Sequence, residues 1–479
     1  MRIALIHYHL LRGGVTSVVR HQARLLAKAG EDVLLMVGDA PQDHSDLPIA
    51  LVGGLRYDSL RVDGSSLPPI PAEQRKTAGK ELALAMRAAM EERWGGLADI
   101  VHVHNPLIRK NSILLEALRC LRESGIKLLL QNHDFAEDFR PDVYLMDEGY
   151  PEDCHYAAIN SRDFSFLHRS GLELNGVHLL PNAVAPIEPV EALERTRFLY
   201  PVRAIGRKNI GEALLLSLFL PRGCTVAVTL PPNSRRDEST YRRLRSLADE
   251  LRLPMEFEVG SGSTLKELLG SSRCSITTSV KEGFGFSFLE PWTADRPVVG
   301  RRIDYVCRDF EQAGVRFDSM YSSLDIPLVY LSPPILRKKM ERALVSAFVA
   351  YGASMPPYLL KRLTDDVFSR DTFDFGRLDE ELQGDVLRMV ASNDAARADL
   401  ADANPFLADL ASWQEDEALT AANKSAILAA YSDEATLNRL RDCYRAVMEK
   451  PVRHRLSKAI LLELFLNPLE LSLVGMGHD

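Results

Sequence analysis

The sequence predicts an α/β protein built from two doubly wound parallel sheets in series. Short apolar runs alternate with longer amphipathic stretches over the first 190 residues. A segment rich in proline and small residues, LLPNAVAPIEPVEALERT (179–196), interrupts the alternation, and a second alternating series follows it. That order is the one expected of parallel sheets wrapped by helices. At 479 residues and 46% hydrophobic composition, the chain can bury two large cores.

In the first series the strands are RIALIH (2–7), DVLLMVG (32–38), DIVHVH (99–104), KLLLQNH (127–133) and HYAAIN (155–160). Between the first two, Val15, Val18, Val19, Gln22, Leu25, Leu26 and Ala29 trace one helical face and Gly30 stops the helix, which makes a βαβ unit. We divide this first domain off at 1–190. The second series has strands RFLYPV (197–202), CTVAVTL (224–230), MEFEVG (255–260), CSITTS (274–279) and PVVG (297–300), with helices near 209–219, 239–252 and 264–271. From about residue 333 the pattern is nearly all helical.

Composition excludes several function classes. A formal net charge of −8 disfavours a nucleic-acid binder, which shows a basic excess on one face. The six cysteines (Cys120, Cys154, Cys224, Cys274, Cys307 and Cys443) are scattered, without CxxC pairs, and suit a reducing cytoplasm. The N-terminus has no basic leader with a cleavage site, so it is expected to be mature structure. No uncharged apolar run of ~20 residues occurs, so no membrane span is expected.

Ligands of doubly wound sheets bind beyond the carboxyl ends of the strands, and the notable residues cluster there. Arg12, Gly13 and Gly14 follow the first strand and precede a helix, where an anion can meet backbone N–H groups; the bland alternative is a tight turn. No complete GxGxxG or Walker sequence is present. The pairs His7/His9 and His102/His104, with His133-Asp134, lie at strand ends. Each HxH points to one face, which opens a metal-hydrolase reading beside the plainer one of polar histidines facing a cleft. Arg203, Arg207 and Lys208 stand before a helix starting near Asn209. Cations there are repelled by the helix dipole unless an anion lies between them; a diphosphate removes that tension, and a solvated basic turn is the alternative.

KEGFGFSFLEPW (281–292) sets Glu282 on a loop and Glu290 about one turn into a helix beginning near Phe286. Carboxylates beside helix N-terminal amides suit a ligand with both hydroxyls and phosphate, such as a sugar nucleotide. Gly283 and Gly285 keep the backbone close to it.

These residues resemble the retaining GT-B glycosyltransferases of family 4. The resemblance rests on the E-x7-E spacing from Glu282 to Glu290 and, in chain order, on Gly13-Gly14, ADIVHVHNP with His104, His133-Asp134, LLPNAV with Asn182, the Arg203 to Lys208 turn, and RPVVG after the second glutamate. It covers residues 1 to about 300. It implies two Rossmann-like domains facing a cleft and a metal-independent hexosyltransferase without a cofactor. Its partners would be a nucleotide-sugar donor of UDP-glucose or GDP-mannose type and a small-molecule or sugar acceptor.

By the same resemblance, Glu282 meets the donor sugar, Glu290 the ribose hydroxyls, and Arg203 with Lys208 the diphosphate, with Arg207 able to replace either cation. His133 lies close to the donor sugar, and Gly13 and Gly14 approach the diphosphate or acceptor. Gly283, Phe284, Gly285 and Phe286 line the donor. Arg12, His104 and Arg109 are assigned to an acceptor that Arg12, Arg109 and Lys110 suggest is acidic; the same basic groups also suit a lipid phosphate at a membrane surface. The sequence lacks a DxD, in agreement with metal independence.

The tail exceeds what the family needs, so an extra, mostly helical segment is expected within about 311–430. The second domain is then 197–450, and 451–479 is a helix crossing back to the first. A sugar-nucleotide epimerase on the same scaffold is the nearest alternative, followed by the metal-dependent hydrolase using the HxH pairs.

Overall fold

A computed structural model describes residues 1–11, 13–40, 47–58, 70–190 and 194–474. The first sheet has strands β1 (Arg2–His9), β2 (Asp32–Asp39), β3 (Ile49–Leu51), β4 (Ile100–His104), β5 (Lys127–Asn132), β6 (His155–Ala158) and β7 (Val177–Leu179). They are ordered β3-β2-β1-β4-β5-β6-β7, and every pairing is parallel. Side-chain alternation splits β1 between two cores. Ala4, Ile6 and Tyr8 pack with Leu82, Met86 and Met90 of the helix Ala72–Trp94. Ile3 and Leu5 pack with Val19, Ala23 and Leu26 of the helix Gly14–Lys28. Burial on both faces is why these strands read as continuous apolar runs.

The second sheet contains β8 (Arg197–Arg203), β9 (Thr225–Leu230), β10 (Met255–Phe257), β11 (Ser272–Thr277), β12 (Val298–Arg301) and β13 (Met320–Tyr321). Its order is β10-β9-β8-β11-β12-β13, again wholly parallel. The architecture is therefore the two Rossmann-like sheets expected, followed by a helical segment. That segment is not purely helical: β14 (Asp325–Pro327) and β15 (Thr372–Asp374) pair antiparallel within it. Three-residue strands give too short an alternation to read from sequence.

Two compact units result: Met1–Ala183 with Ala350–Gly352 and Tyr431–Leu466, and Val184–Val349 with Ala353–Ala430 and the chain from Asn467. The sequence-based division put the helix Asp433–Glu449 in the second domain and everything after 451 in a returning helix. In the structure Leu440, Cys443, Tyr444 and Val447 of that helix fill the first unit's core, as do Leu461 and Phe465 of the helix Lys458–Phe465. Beyond it, Leu473 N–H donates to Arg377 O at 3.0 Å and Arg377 Nε to Leu471 O at 2.8 Å, which ties this stretch to the second unit. Among the described residues no helix is long and apolar enough to cross a membrane.

Candidate active site

Each sheet has a switch point where strand order reverses, between β1 and β4 in the first and between β8 and β11 in the second. Loops leaving the carboxyl ends there form a crevice. In the second unit these loops carry the basic turn and the first glutamate. The turn Gly206–Lys208 is a single 3-10 turn closed by Asn209 at φ 50°, a left-handed conformation that asparagine tolerates. Tyr200 Oη donates to Lys208 O at 2.7 Å, Thr278 Oγ1 to Asn209 O at 3.0 Å, and Val280 N–H to Arg207 O at 3.0 Å. The turn is thereby fixed against the chain leaving β11.

That fixing brings the charges together. Arg207 Nη1 donates to Glu282 Oε2 at 2.7 Å, and Lys208 Nζ donates to Glu282 Oε1. Tyr305 Oη donates to Glu282 O at 2.7 Å and holds the loop. Burial alone would raise the Glu282 carboxyl, yet Lys208 and Arg207 hold it down to about 2. Burial keeps Lys208 below the usual lysine range, with Glu282 opposing and Arg207 adding to the shift. One carboxylate shared by two cations leaves a surplus positive charge, the state an arriving anion neutralises. Arg203 is elsewhere: at the end of β8 its Nη1 donates to Pro231 O at 2.7 Å, and it makes no hydrogen bond to Glu282.

Glu290 is not one turn into a helix. Gly285 adopts φ +88°, a 3-10 turn Phe286–Phe288 follows, and Glu290 is the first residue of the short helix Glu290–Thr293. Pro291, lacking an N–H, stands in the first turn, where an N–H would find no acceptor within the helix. A Cβ on Gly285 would meet Phe288 Cδ2 and Val306 Cγ1 at 2.9 Å, so glycine is required there for space as well as conformation. Phe284 and Phe286 stack edge-on at 5.0 Å, with Gly283 between Glu282 and that pair. Burial pushes Glu290 up to about 7. Asn209, at the start of its helix, makes no side-chain cap; it donates to Glu212 Oε2 at 2.8 Å.

In the first unit, His104 Nδ1 and His133 Nε2 are 3.0 Å apart with rings stacked at 5.3 Å. Burial holds His133 down to about 4, and His7 and His102 to about 3, so these imidazoles are neutral at pH 7. His102 lies between Tyr444 Oη at 2.9 Å and Gln131 Oε1 at 3.0 Å, a structural role. Asn105, at φ 55°, accepts from His133 N–H at 2.6 Å and Asp134 N–H at 3.1 Å and so shapes the loop after β5; the sequence reading missed it.

Gly13 is the residue preceding the helix Gly14–Lys28, and a Cβ at Gly14 would meet nothing within 4 Å. Arg109 is buried, with Nη2 donating to Asp142 O at 3.0 Å, in the 3-10 turn Pro141–Val143 that follows β5. Arg12 lies outside the described residues. Among the described residues, no three His, Cys, Asp or Glu side chains group as ligands for a metal.

No family model matches the chain. The mannosylglucosyl-3-phosphoglycerate synthase of Petrotoga mobilis is 25% identical over 414 residues, 79% of each chain. Among solved structures, sucrose-phosphate synthase from Thermosynechococcus elongatus superposes with TM-score 0.52 at 14% identity, covering 93% of this chain and 98% of that one. A glycosyltransferase from Rickettsia africae gives 0.53 at 12% identity, covering 94% and 99%. The fold is GT-B, that of the glycosyltransferases.

Within the GT-B frame, the missed elements are mainly second-unit supports. Arg301, ending β12, grips Glu212 through Nε and Nη2 at 2.7 Å each and Asp374 through Nη1 at 2.9 Å and Nη2 at 2.6 Å. Gln383 Nε2 donates to Asn209 Oδ1 at 2.8 Å. Asp374 and Gln383 both come from the helical segment, which thus braces the residue next to Lys208.

Proposed function

We propose that this chain is a retaining, metal-independent glycosyltransferase that moves a hexosyl group from a nucleotide sugar to a hydroxyl of a small acidic acceptor, in the cytoplasm. The observation that carries the reading is Glu282 held by Arg207 and Lys208 at the second sheet's switch point. The GT-B fold and the likeness to a synthase whose name describes sugars on 3-phosphoglycerate support it. A donor diphosphate takes over the two cations, frees Glu282 for the donor-sugar hydroxyls, and finds its leaving charge met by fixed groups. Arg207 fills the place assigned from sequence to Arg203. Glu290 receives the ribose hydroxyls, and the family resemblance assigns His133 to the sugar.

In front-side transfer the bond from C1 to the phosphate oxygen breaks while the acceptor oxygen bonds to C1 on the same face. The acceptor's proton passes to the departing phosphate. The product of an α-linked glucose donor is therefore expected to be an α-glucoside, read as a small anomeric coupling in the NMR spectrum of first-formed product. A large coupling means inversion and ends the family 4 assignment. Activity is expected to survive exhaustive chelation with EDTA, because Arg207 and Lys208 supply the charge; loss that zinc or manganese restores would revive the hydrolase reading of His7, His9, His102 and His104.

Glu290→Ala is expected to weaken UDP or GDP binding by about 1–3 kcal/mol, the cost of leaving ribose hydroxyls without an acceptor. Because burial holds the Glu290 proton up to about 7, the carboxylate forms above that pH and not below it. Nucleotide affinity should therefore rise from about pH 6 to about pH 8 and lose that dependence in Glu290→Gln. Calorimetric titration checks both, and unchanged affinity in Glu290→Ala removes the residue from the site.

A further inference from the structure

The crevice of the first sheet carries two cations that the donor-binding reading leaves unused. Lys110 follows β4, and its Nζ lies 5.6 Å from the centre of the Tyr57 ring. Among the described residues no carboxylate is within ion-pair distance of it. Arg140 follows β5; its guanidinium is 3.5 Å from Asp134, with both side chains partly exposed. The backbone there is pinned: Arg140 N–H donates to Tyr351 Oη at 2.6 Å, and Tyr351 Oη donates to Ala136 O at 2.6 Å. Asp58, a further acid nearby, is taken up by Ser112, whose N–H and Oγ donate to it at 2.8 and 3.0 Å. Burial and then Arg140 hold Lys110 below the usual lysine range, and Asp134 and Asp142 offset this only in part.

The two loops meet, since Arg109 N–H donates to Val143 O at 2.7 Å and Val143 N–H to Arg140 O at 3.2 Å. A lysine free to extend into water gains nothing by lying half-buried there, and the Tyr57 face compensates only weakly. An anion between the two would relieve the repulsion, and Arg140 offers the planar fork that suits phosphate or carboxylate. We propose that Lys110 and Arg140, walled by Tyr57, form the subsite for the anionic group of the acceptor. The word acceptor rests on the glycosyl-transfer reading; the anion site itself does not.

The test is calorimetric titration of the full chain with inorganic phosphate and with 3-phosphoglycerate, each with and without saturating UDP or GDP. Wild type is expected to bind both anions, with or without nucleotide. Lys110→Gln and Arg140→Gln are expected to weaken anion binding by about tenfold or more, as loss of a charge-assisted contact does. Lys110→Arg should bind nearly as wild type, exposed Lys338→Gln should change nothing, and nucleotide affinity should stay constant throughout. Absence of anion binding, glutamine variants that bind like wild type, or displacement of the anion by UDP and GDP would each overturn the subsite. Anion binding without nucleotide binding would instead uphold the anion site and overturn glycosyl transfer.

Discussion

Glu282→Ala is expected to lower turnover by about a hundredfold to a thousandfold, the range for removing one group aimed at the reacting centre, while free UDP or GDP binds within a few-fold of wild type. The difference follows from its proposed partner, the sugar, which the free nucleotide lacks. Equal losses in turnover and nucleotide affinity would sink the assignment. The variant should also be less stable. Lys208 is almost fully buried, and removing one member of a buried pair costs about 3–5 kcal/mol; partly exposed Arg207 adds little. Turnover must therefore be compared at a temperature where the variant is folded, with Glu282→Gln as the milder change.

The pH dependence has a definite sign. Glu282 is held to about 2, below the ordinary glutamate value of about 4.3. Its pairing thus stabilises the fold above that ordinary value and is lost as pH falls toward 2. The urea midpoints of wild type and Glu282→Gln should converge as pH falls through that window, and a constant gap would deny the pair its stabilising role.

Arg301→Met is expected to cost about 3–5 kcal/mol, because it removes the ion-pair partner of buried Glu212 and of Asp374. Glu212 is completely buried, and burial already pushes its carboxyl up although Arg301 opposes this. Joint replacement of Arg301, Glu212 and Asp374 by apolar residues of similar volume should recover most of the loss. Denaturant unfolding followed by circular dichroism measures both; an Arg301→Met variant within about 1 kcal/mol of wild type would show the network to be idle.

The two sheets were legible because strands buried on both faces leave apolar runs such as RIALIH and CTVAVTL. The glutamate loop was legible because glycine, phenylalanine and carboxylates share a short stretch. What stayed hidden depends on distant partners. Arg301 meets Glu212 across 89 residues and Asp374 across 73, and no local period registers such pairs. The sequence left Arg203 and Arg207 as rivals. The left-handed Asn209 that closes the turn, set against the chain after β11, puts Arg207 on Glu282 and leaves Arg203 on Pro231, contacts that no local pattern in the sequence registers.

The first unit's need for residues 431–466 also constrains how the protein is made. The nascent sheet leaves the ribosome with the places of Leu440, Tyr444, Leu461 and Phe465 bare, and residues 184–430 must be translated before the helices that fill them exist. Through that interval apolar surface on a parallel sheet stays open to wrong contacts. Native closure of the first unit thus waits until residues 431–466 have emerged, and a nascent chain stalled before residue 431 should be a better chaperone client than one carried past 466.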